Sequence, residues 1–352
     1  MVRGVNWIGD AVMTIPALRE LRRLLPHAHI TLMTRGWAEE LFLDADYLDE
    51  LLIIGERSRA LPDALRQLRR LRAGRFDLAV LLQNAFQAAL VGFLARIPAR
   101  IGYITEGRGS LLTHAFAVPP WHKEQHEIFY YLNIIAELER ALYGTSNILQ
   151  REPVFALNVS HARRQEAREI LHAHGLLMNR PLVALCPGST NSRAKRWPVG
   201  AYAALADKFI AQMNANVLLI GARDEIDVSN EVKNRMRHAP IMLTGATGLA
   251  QSVAILSLAD VLITNDTGPA HIAASLQRPT LVIFGPTDPT TTRPFSDTAE
   301  IIRHPPGCAP CMLRDCPIDH RCMTAITPDE VFARSIALME KQRLINVAEA
   351  RV

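Results

Sequence analysis

The chain has 352 residues, more than one hydrophobic core usually holds, which favours two domains of about 150 residues each. Hydrophobic residues make up 49% and charged residues 21%, as in globular proteins, and no apolar run approaches the roughly 20 residues that span a bilayer. A net charge of +4 does not predict a nucleic-acid partner, and the N-terminus lacks the apolar core of a signal peptide, so we expect a cytoplasmic protein.

Short apolar segments alternate with helical patterns along the chain, which predicts βα units and parallel sheets. The predicted strands are residues 30–33, 78–82, 182–186, 216–220, 261–263 and 280–284. The predicted helices are residues 16–25, 61–71, 160–174, 200–213, 249–258 and 328–339. Interrupted periodicity places a boundary near residue 150. The fold class is therefore α/β, with two Rossmann-like doubly wound domains, 1–150 and 151–352, facing across a cleft.

Asp10 is the first candidate for chemistry, because it follows the first strand of the N-terminal domain. Its carboxylate either caps a helix or accepts a proton from a substrate hydroxyl, a role that requires hydrogen-bond reach. Only residues 1–5 precede the turn at residues 6–10 that contains Asp10. The first strand is therefore either short and weakened by Gly4, or it begins upstream of this sequence.

Arginine is concentrated in residues 56–75, a segment whose only acidic residues are Glu56 and Asp63. The arginines are Arg57, Arg59, Arg66, Arg69, Arg70, Arg72 and Arg75. This pattern indicates a helix with one basic face. The face is either solvated and covers apolar surface, or it contacts an anionic acceptor or membrane head groups.

Two loops of the C-terminal domain carry further polar residues. Thr190 and Lys195 follow the strand at 182–186, and fixed cations there would stabilise a diphosphate leaving group; the alternative is an ordinary loop with Lys195 in solvent. Asp224 and Glu225 follow the strand at 216–220, where an acidic side chain would hold a ribose diol or Asp224 would cap a helix.

The most informative segment is residues 261–271, an apolar strand that ends in Asn-Asp-Thr-Gly and continues into a helix that starts with proline. Gly268 permits close approach of a ligand to the backbone, and Pro269 suits the first turn of a helix. The helix start beside Asp266, Thr267 and His271 favours phosphate. The turn at 284–289, by contrast, is best explained as a rigid structural corner.

Four motifs occur together and in order: Trp7-Ile8-Gly9-Asp10, Ala194-Lys195-Arg196-Trp197-Pro198, Asn265-Asp266-Thr267-Gly268 and Phe284-Gly285-Pro286-Thr287-Asp288-Pro289. With them the chain resembles the ADP-heptose:lipopolysaccharide heptosyltransferase family from Asn6 to about Val331. Residues 82–86 and 97–103 make it most similar to the heptosyltransferase II group.

This resemblance implies a GT-B fold, with the acceptor on the N-terminal domain and ADP-heptose on the C-terminal one. It implies an inverting transfer to the lipid A-linked inner core that requires no metal, with peripheral contact at the inner membrane as an open question. Asp10 would be the general base. The donor would be held by Thr190, Lys195, Glu225, Asp266, Thr267, Gly268 and His271, with the diphosphate at Lys195, Thr267 and Gly268. The helix at 328–339 would cross back to the N-terminal domain.

Four of the five cysteines, Cys308, Cys311, Cys316 and Cys322, form a cluster whose spacing is close to that of a zinc knuckle. Three interpretations stay open: a structural zinc, reduced thiols, or redox chemistry. Cys186 is expected to be a buried core residue. The rival functions are another GT-B transferase with a different nucleotide sugar and a zinc-dependent binding module. An NAD-dependent oxidoreductase is disfavoured, because no Gly-x-Gly-x-x-Gly turn follows a predicted strand.

Overall fold

The computed structural model describes residues 1–54 and 61–349, so Glu56, Arg57 and Arg59 of the basic segment lie outside the described residues. The chain divides into two compact units, Met1–Ala156 and Leu157–Val352. The boundary predicted at residue 150 lies just before this division. Among the described residues, every helix is too short or too polar to cross a bilayer.

The described part of the first unit contains a parallel sheet with helices between its strands. The strands are β1 (Val2–Arg3), β2 (Thr31–Arg35), β3 (Glu50–Ile54), β4 (Leu78–Leu81), β5 (Ala99–Tyr103) and β6 (His114–Phe116). The helices are α1 (Ile8–Met13), α2 (Ile15–Leu24), α3 (Gly36–Leu41), α4 (Leu61–Ala73), α5 (Phe86–Leu94) and α6 (Glu127–Tyr143). Short 3-10 helices cover Gly109–Leu111, Pro120–Lys123 and Ile148–Gln150. The strand order is β3-β2-β1-β4-β5-β6, so the order reverses between β1 and β4.

The second unit repeats this architecture. Its strands are β7 (Leu182–Cys186), β8 (Asn216–Leu219), β9 (Ile241–Met242), β10 (Val261–Asn265), β11 (Thr280–Ile283) and β12 (Ala299–Ile302). Its helices are α7 (His161–Ala173), α8 (Val199–Met213), α9 (Ile226–Arg235), α10 (Leu249–Leu256), α11 (Gly268–Ser275), α12 (Pro289–Thr292), α13 (Arg321–Thr324) and α14 (Pro328–Glu349). The order β12-β11-β10-β7-β8-β9 is the same winding, with its reversal between β7 and β10.

The central strands are buried on both faces, which explains their continuous apolar sequences. Every residue of β7 and β10 is buried, and Cys186 is a buried core residue as predicted. The core beside these strands includes Trp197, Phe209 and Ile263. Burial on both faces therefore holds the carboxyl ends of β7 and β10 in a rigid frame.

The predicted strands and helices are confirmed, with shifts at their ends. The strands β3, β5, β6, β9 and β12 were not predicted, because they are short or mix polar with apolar residues, as in Ala299–Ile302. The predicted end of the last helix at residue 339 was wrong, since α14 continues to Glu349. This helix packs on α8, β10 and β11 of its own unit. Its predicted crossing to the first unit stays a prediction.

Candidate functional site

The polar loops of the second unit leave its sheet from two neighbouring strands. β7 pairs with β10 in parallel, and the register places Cys186 beside Thr264. The strand order reverses between these two strands. In open α/β sheets, ligands bind outside the carboxyl ends of the strands at such a reversal. The loops after β7 and β10 are therefore the candidate site of this unit.

Asn265, the last residue of β10, joins these loops through its side-chain amide, which donates two hydrogen bonds and accepts two. Its Nδ2 donates to the carbonyl oxygens of Pro187 at 2.9 Å and Gly188 at 3.0 Å. Its Oδ1 accepts from the Trp197 N–H at 3.0 Å and from the Tyr202 hydroxyl at 3.1 Å. Asn265 has no role predicted from the sequence. The sequence signal that could have identified it is a polar residue at the end of a buried strand, because a buried amide needs hydrogen-bond partners.

Lys195 and Asp266, two residues of the predicted donor site, are in direct contact. Lys195 ends the 3-10 helix Arg193–Lys195, and its Nζ donates to Asp266 Oδ2 at 2.7 Å and to the Asp266 carbonyl at 3.2 Å. Thr287 Oγ1 donates to the same Oδ2 at 2.7 Å. The Asp266 side chain is 8% exposed and that of Lys195 is 26% exposed. The alternative that Lys195 lies in solvent is therefore wrong.

Thr287 belongs to the turn after β11 that was predicted to be a rigid corner. Besides the contact to Asp266, this turn contains Asp288, whose Oδ1 accepts from the Thr290 N–H at 3.0 Å and so caps α12. The turn thus supports the site through Thr287. Sequence analysis missed this residue, although it follows the strand next to β10.

Thr267, Gly268 and His271 lie at and after the start of α11. Thr267 is the N-cap residue with extended backbone, at φ −147° and ψ 172°, and its hydroxyl lies 3.2 Å from that of Thr264. Gly268 begins the helix, and His271 is buried within it. The first turn of α11 therefore follows directly on Asp266, as an anion site at a helix N-terminus requires.

Glu225 forms the second part of the site together with Thr190. Its carboxylate accepts from the Ala222 N–H at 2.9 Å and forms a hydrogen bond with Thr190. Burial raises the pKa of Glu225, while the hydrogen bond from Ala222 acts in the opposite direction. Glu225, not Asp224, bonds the backbone at the start of this turn, so helix capping by Asp224 was wrong. Thr190 and Glu225 are thus brought together, and their roles at the donor stay a prediction.

Gly188 is needed because Glu225 packs directly against its Cα. A Cβ atom at residue 188 would lie 2.2 Å from Glu225 Cδ. We expect Gly188→Ala to displace the Glu225 carboxylate and to destabilise the protein by about 1–3 kcal/mol, the range for overpacking. Denaturant unfolding measures this change. The matched control is Gly307→Ala, since no atom lies within 4 Å of a Cβ there. Equal stability of the two variants would contradict the packing argument.

Asp10 lies in the first turn of α1, the helix that follows β1, and therefore beside the reversal in the first sheet. The N-cap residue of α1 is Trp7, so the helix-cap interpretation of Asp10 was wrong. Burial, with a smaller contribution from the nearby Glu127 carboxylate, raises the pKa of Asp10 to about 6. A carboxylate with this pKa is ionised at neutral pH and still basic enough to accept a proton.

The four clustered cysteines line one small cavity of the second unit, together with Asp319 and His320. All four are free thiols, with Cys322 buried and Cys308 and Cys316 exposed. Among residues 1–54 and 61–349, no group of three or more His, Cys, Asp or Glu side chains is arranged to hold a metal ion. The structural zinc at Cys308, Cys311, Cys316 and Cys322 stays a prediction.

Elemental analysis tests that prediction directly. If the four thiols draw together around zinc, protein purified from zinc-supplemented cells carries about one zinc per chain. The Cys316→Ser variant then loses it, because tetrahedral sites need all four ligands. The control is Cys186→Ser, which removes a thiol outside the cavity. Zinc-free wild-type protein under these conditions would leave reduced thiols or redox chemistry as the explanation of the cluster.

Comparison with known proteins gives consistent matches over nearly the whole chain. Residues 64–321 match the family model described as "Glycosyltransferase family 9 (heptosyltransferase)". Lipopolysaccharide heptosyltransferase 2 of Escherichia coli is 30% identical over 354 residues, which cover 96% of this chain and 98% of the relative. Lipooligosaccharide heptosyltransferase 2 of Haemophilus influenzae is 30% identical over 312 residues, covering 86% and 88%.

Among solved structures, the "Structure of E. coli ADP-heptose lps heptosyltransferase II" has a TM-score of 0.83 and 28% identity, covering 97% of this chain and 98% of that one. With this match, the two parallel sheets of Rossmann order are those of a GT-B glycosyltransferase. The resemblance seen in the sequence motifs is confirmed. The chain belongs to glycosyltransferase family 9, the heptosyltransferases.

Proposed function

We propose that this chain transfers heptose from ADP-L-glycero-D-manno-heptose to the inner core of lipopolysaccharide, adding the second heptose to heptosyl-Kdo2-lipid A. Family membership and the names of its relatives support the substrate class. The observation that carries the proposal is the contact of Lys195 with Asp266, directly before the helix start at Thr267 and Gly268. A cation beside a helix N-terminus, at the ends of two neighbouring strands, suits a diphosphate.

The proposed reaction is one displacement. The acceptor hydroxyl oxygen bonds to the anomeric carbon of heptose while the bond from that carbon to the diphosphate oxygen breaks, and ADP leaves. Asp10 accepts the hydroxyl proton, and Lys195 with the first N–H groups of α11 stabilises the charge that develops on ADP. A single displacement inverts the anomeric centre. Lys195 supplies the positive charge, so the proposed step requires no metal.

The remaining predicted residues have supporting roles in this proposal. Asp266 would bind heptose hydroxyls through Oδ1, since the side chains of Lys195 and Thr287 both donate to its other carboxylate oxygen, Oδ2. Glu225 and Thr190 would contact the ribose and the donor. His271 would lie near the donor sugar.

A transfer assay tests the proposal. The purified protein is incubated with heptosyl-Kdo2-lipid A and either ADP-heptose, UDP-glucose or GDP-mannose, and the product is followed by mass spectrometry and by NMR of the new linkage. We expect a mass gain of one heptose from ADP-heptose alone, with inverted configuration. Kdo2-lipid A without heptose is the acceptor control. Transfer from another nucleotide sugar, or retention of configuration, would overturn the assignment.

We also propose that the basic face of α4 contacts the anionic cytoplasmic surface of the inner membrane. Arg66, Arg69 and Arg70 are exposed on this helix. The neighbouring Arg72 donates to the Leu94 carbonyl at 2.9 Å, which places α4 beside the end of α5. There Phe93 and Leu94 are 46% and 43% exposed. Exposed aromatic and aliphatic side chains beside arginines are typical of surfaces that bind lipid head groups.

Vesicle binding tests this contact. Reversal of three charges, Arg66→Glu, Arg69→Glu and Arg70→Glu, is expected to lower binding to phosphatidylglycerol-containing vesicles at least roughly a hundredfold, because each basic residue contributes about 1 kcal/mol. Cosedimentation at low and high salt measures it, with phosphatidylcholine vesicles as the neutral surface. The matched control reverses three exposed arginines of the second unit, Arg164, Arg168 and Arg180. Equal binding of both triple variants would favour the solvated-face interpretation.

A further inference from the structure

Asp10 is accompanied by a second carboxylate that sequence analysis did not single out. Glu127 is the first residue of α6, and α6 packs against α1, which contains Asp10. The two carboxylates interact electrostatically, and the side chain of Glu127 is 20% exposed. Two partly desolvated carboxylates that interact in this way disfavour each other's charge. The charge state of Glu127 therefore affects the proton affinity of Asp10.

His122 is the side-chain partner of this second carboxylate. It lies in the 3-10 helix Pro120–Lys123, and its Nε2 is 3.2 Å from Glu127 Oε2. Its ring packs on the ring of Tyr130, with centroids 4.0 Å apart. The Tyr130 hydroxyl accepts from Asn84 Nδ2 at 2.8 Å, so the stacking partner is itself held in place. The imidazole thus has a defined position next to Glu127.

Several other ionisable groups near this pair keep their proton or have other partners. Tyr131 of α6 also interacts with Asp10 but keeps its proton, because burial raises its pKa well above the usual value. Arg108, which interacts electrostatically with Tyr130, donates to the Tyr103 carbonyl at 2.9 Å. On α2, which also packs on α1, the charged side chains are bound in other pairs: Arg19 with Asp46, Arg22 with Asp49, and Arg23 with Glu20 and Glu139.

We propose that Glu127 and His122 are positioning residues for the reaction: as an ion pair they cancel one negative charge beside Asp10 and so keep it in the ionised form that accepts the acceptor's proton. This inference rests on the proposed role of Asp10 as the general base. The two members of the pair act on Asp10 with opposite sign. Loss of the Glu127 charge favours ionised Asp10, and loss of the His122 charge disfavours it.

The pH dependence of kcat/KM tests the inference, because its acid limb reports the base of the free enzyme. We expect Glu127→Gln to move the acid limb to lower pH and His122→Gln to move it to higher pH, each by about one pH unit, the size of a charge interaction at this range. The double variant is expected to lie between them. Glu127→Asp, which keeps a carboxylate, is expected to restore the wild-type limb.

The chain offers a matched control pair. His29 Nε2 lies 3.4 Å from Glu50 Oε2, but these residues lie at the amino ends of β2 and β3, at the edge of the sheet opposite to Asp10. We expect His29→Gln and Glu50→Gln to leave the acid limb unchanged. Circular dichroism of every variant identifies any that fail to fold.

Two failures are distinguishable. If Asp10→Asn remains active, or the wild type has no acid limb, the proposed role of Asp10 fails and this inference with it. If the limb depends on Asp10 but the Glu127 and His122 variants leave it in place, or move it in the same direction, only the inference is overturned. Opposite shifts are not expected from residues that merely support the fold.

Discussion

Replacing Asp10 by Asn is expected to abolish heptosyl transfer while donor binding persists. The amide keeps the shape of the carboxylate but does not accept the acceptor's proton, and loss of a general base costs about 10²–10⁴-fold in rate. Asp10 lies in the first unit, whereas the predicted donor residues lie in the second. Turnover assays with calorimetry of ADP binding measure both effects. Wild-type turnover by the variant would exclude Asp10 as the base.

The same substitution is expected to stabilise the protein. The pKa of Asp10 is raised from 3.8 to about 6, so the folded state binds the proton more tightly than the unfolded state. Stability is therefore lost as pH rises from about 4 to 6, and the full cost is present above pH 6. We expect Asp10→Asn to raise the free energy of unfolding at pH 7.5 by about 2–3 kcal/mol, with the gain disappearing below about pH 4.

Asp49→Asn is the matched control for this stability effect. Asp49 accepts from the Ile30 N–H at 2.6 Å and pairs with Arg22, and these contacts lower its pKa. The contribution of Asp49 to the free energy of unfolding therefore has the opposite sign to that of Asp10. Asp49 stabilises the fold above its unfolded pKa, and that contribution is lost as pH falls. We expect Asp49→Asn to lower thermal stability at pH 7.5 and to leave transfer intact. A gain in stability from both substitutions would contradict the pKa assignments.

Lys195→Ala is expected to have the largest effect on donor binding. A hydrogen bond to a charged group contributes about 1.5–3 kcal/mol, so the Kd for ADP should rise by roughly one to two orders of magnitude. The variant also leaves the buried Asp266 without its cation, though Thr287 still donates to it. Calorimetric titration with ADP measures the effect.

Lys208→Ala serves as the control, because Lys208 is also an ion-paired lysine of the second unit but its partner is the exposed Asp329. We expect the affinity of this variant for ADP to be unchanged. Lys195→Arg is expected to recover only part of the loss, since a guanidinium has the charge but not the compact geometry of the ammonium. Equal ADP affinity of Lys195→Ala and Lys208→Ala would remove Lys195 from the diphosphate site.

Local sequence was sufficient for the elements that frame the donor site. The strands β7 and β10 are continuous apolar runs that end in polar turns, and both features act over a few residues. Lys195, Asp266 and Gly268 were recognisable as candidates because they lie in the polar loops that follow these strands. Short or partly polar strands such as β9 and β12 lack this local signal, and only pairing with a neighbour defines them.

What the sequence determined by itself is the α/β class, the strand-turn-helix units and most candidate residues, because periodicity and turn chemistry depend on near neighbours. Tertiary structure decided the partners: Lys195 on Asp266, Thr287 on the same carboxylate, Glu225 against Gly188, and Glu127 with His122 beside Asp10. Glu127 and His122 are close in sequence but distant from Asp10, and the other partners are distant from one another along the chain. Their contacts follow from strand order and helix packing, which long-range burial sets and no local pattern encodes.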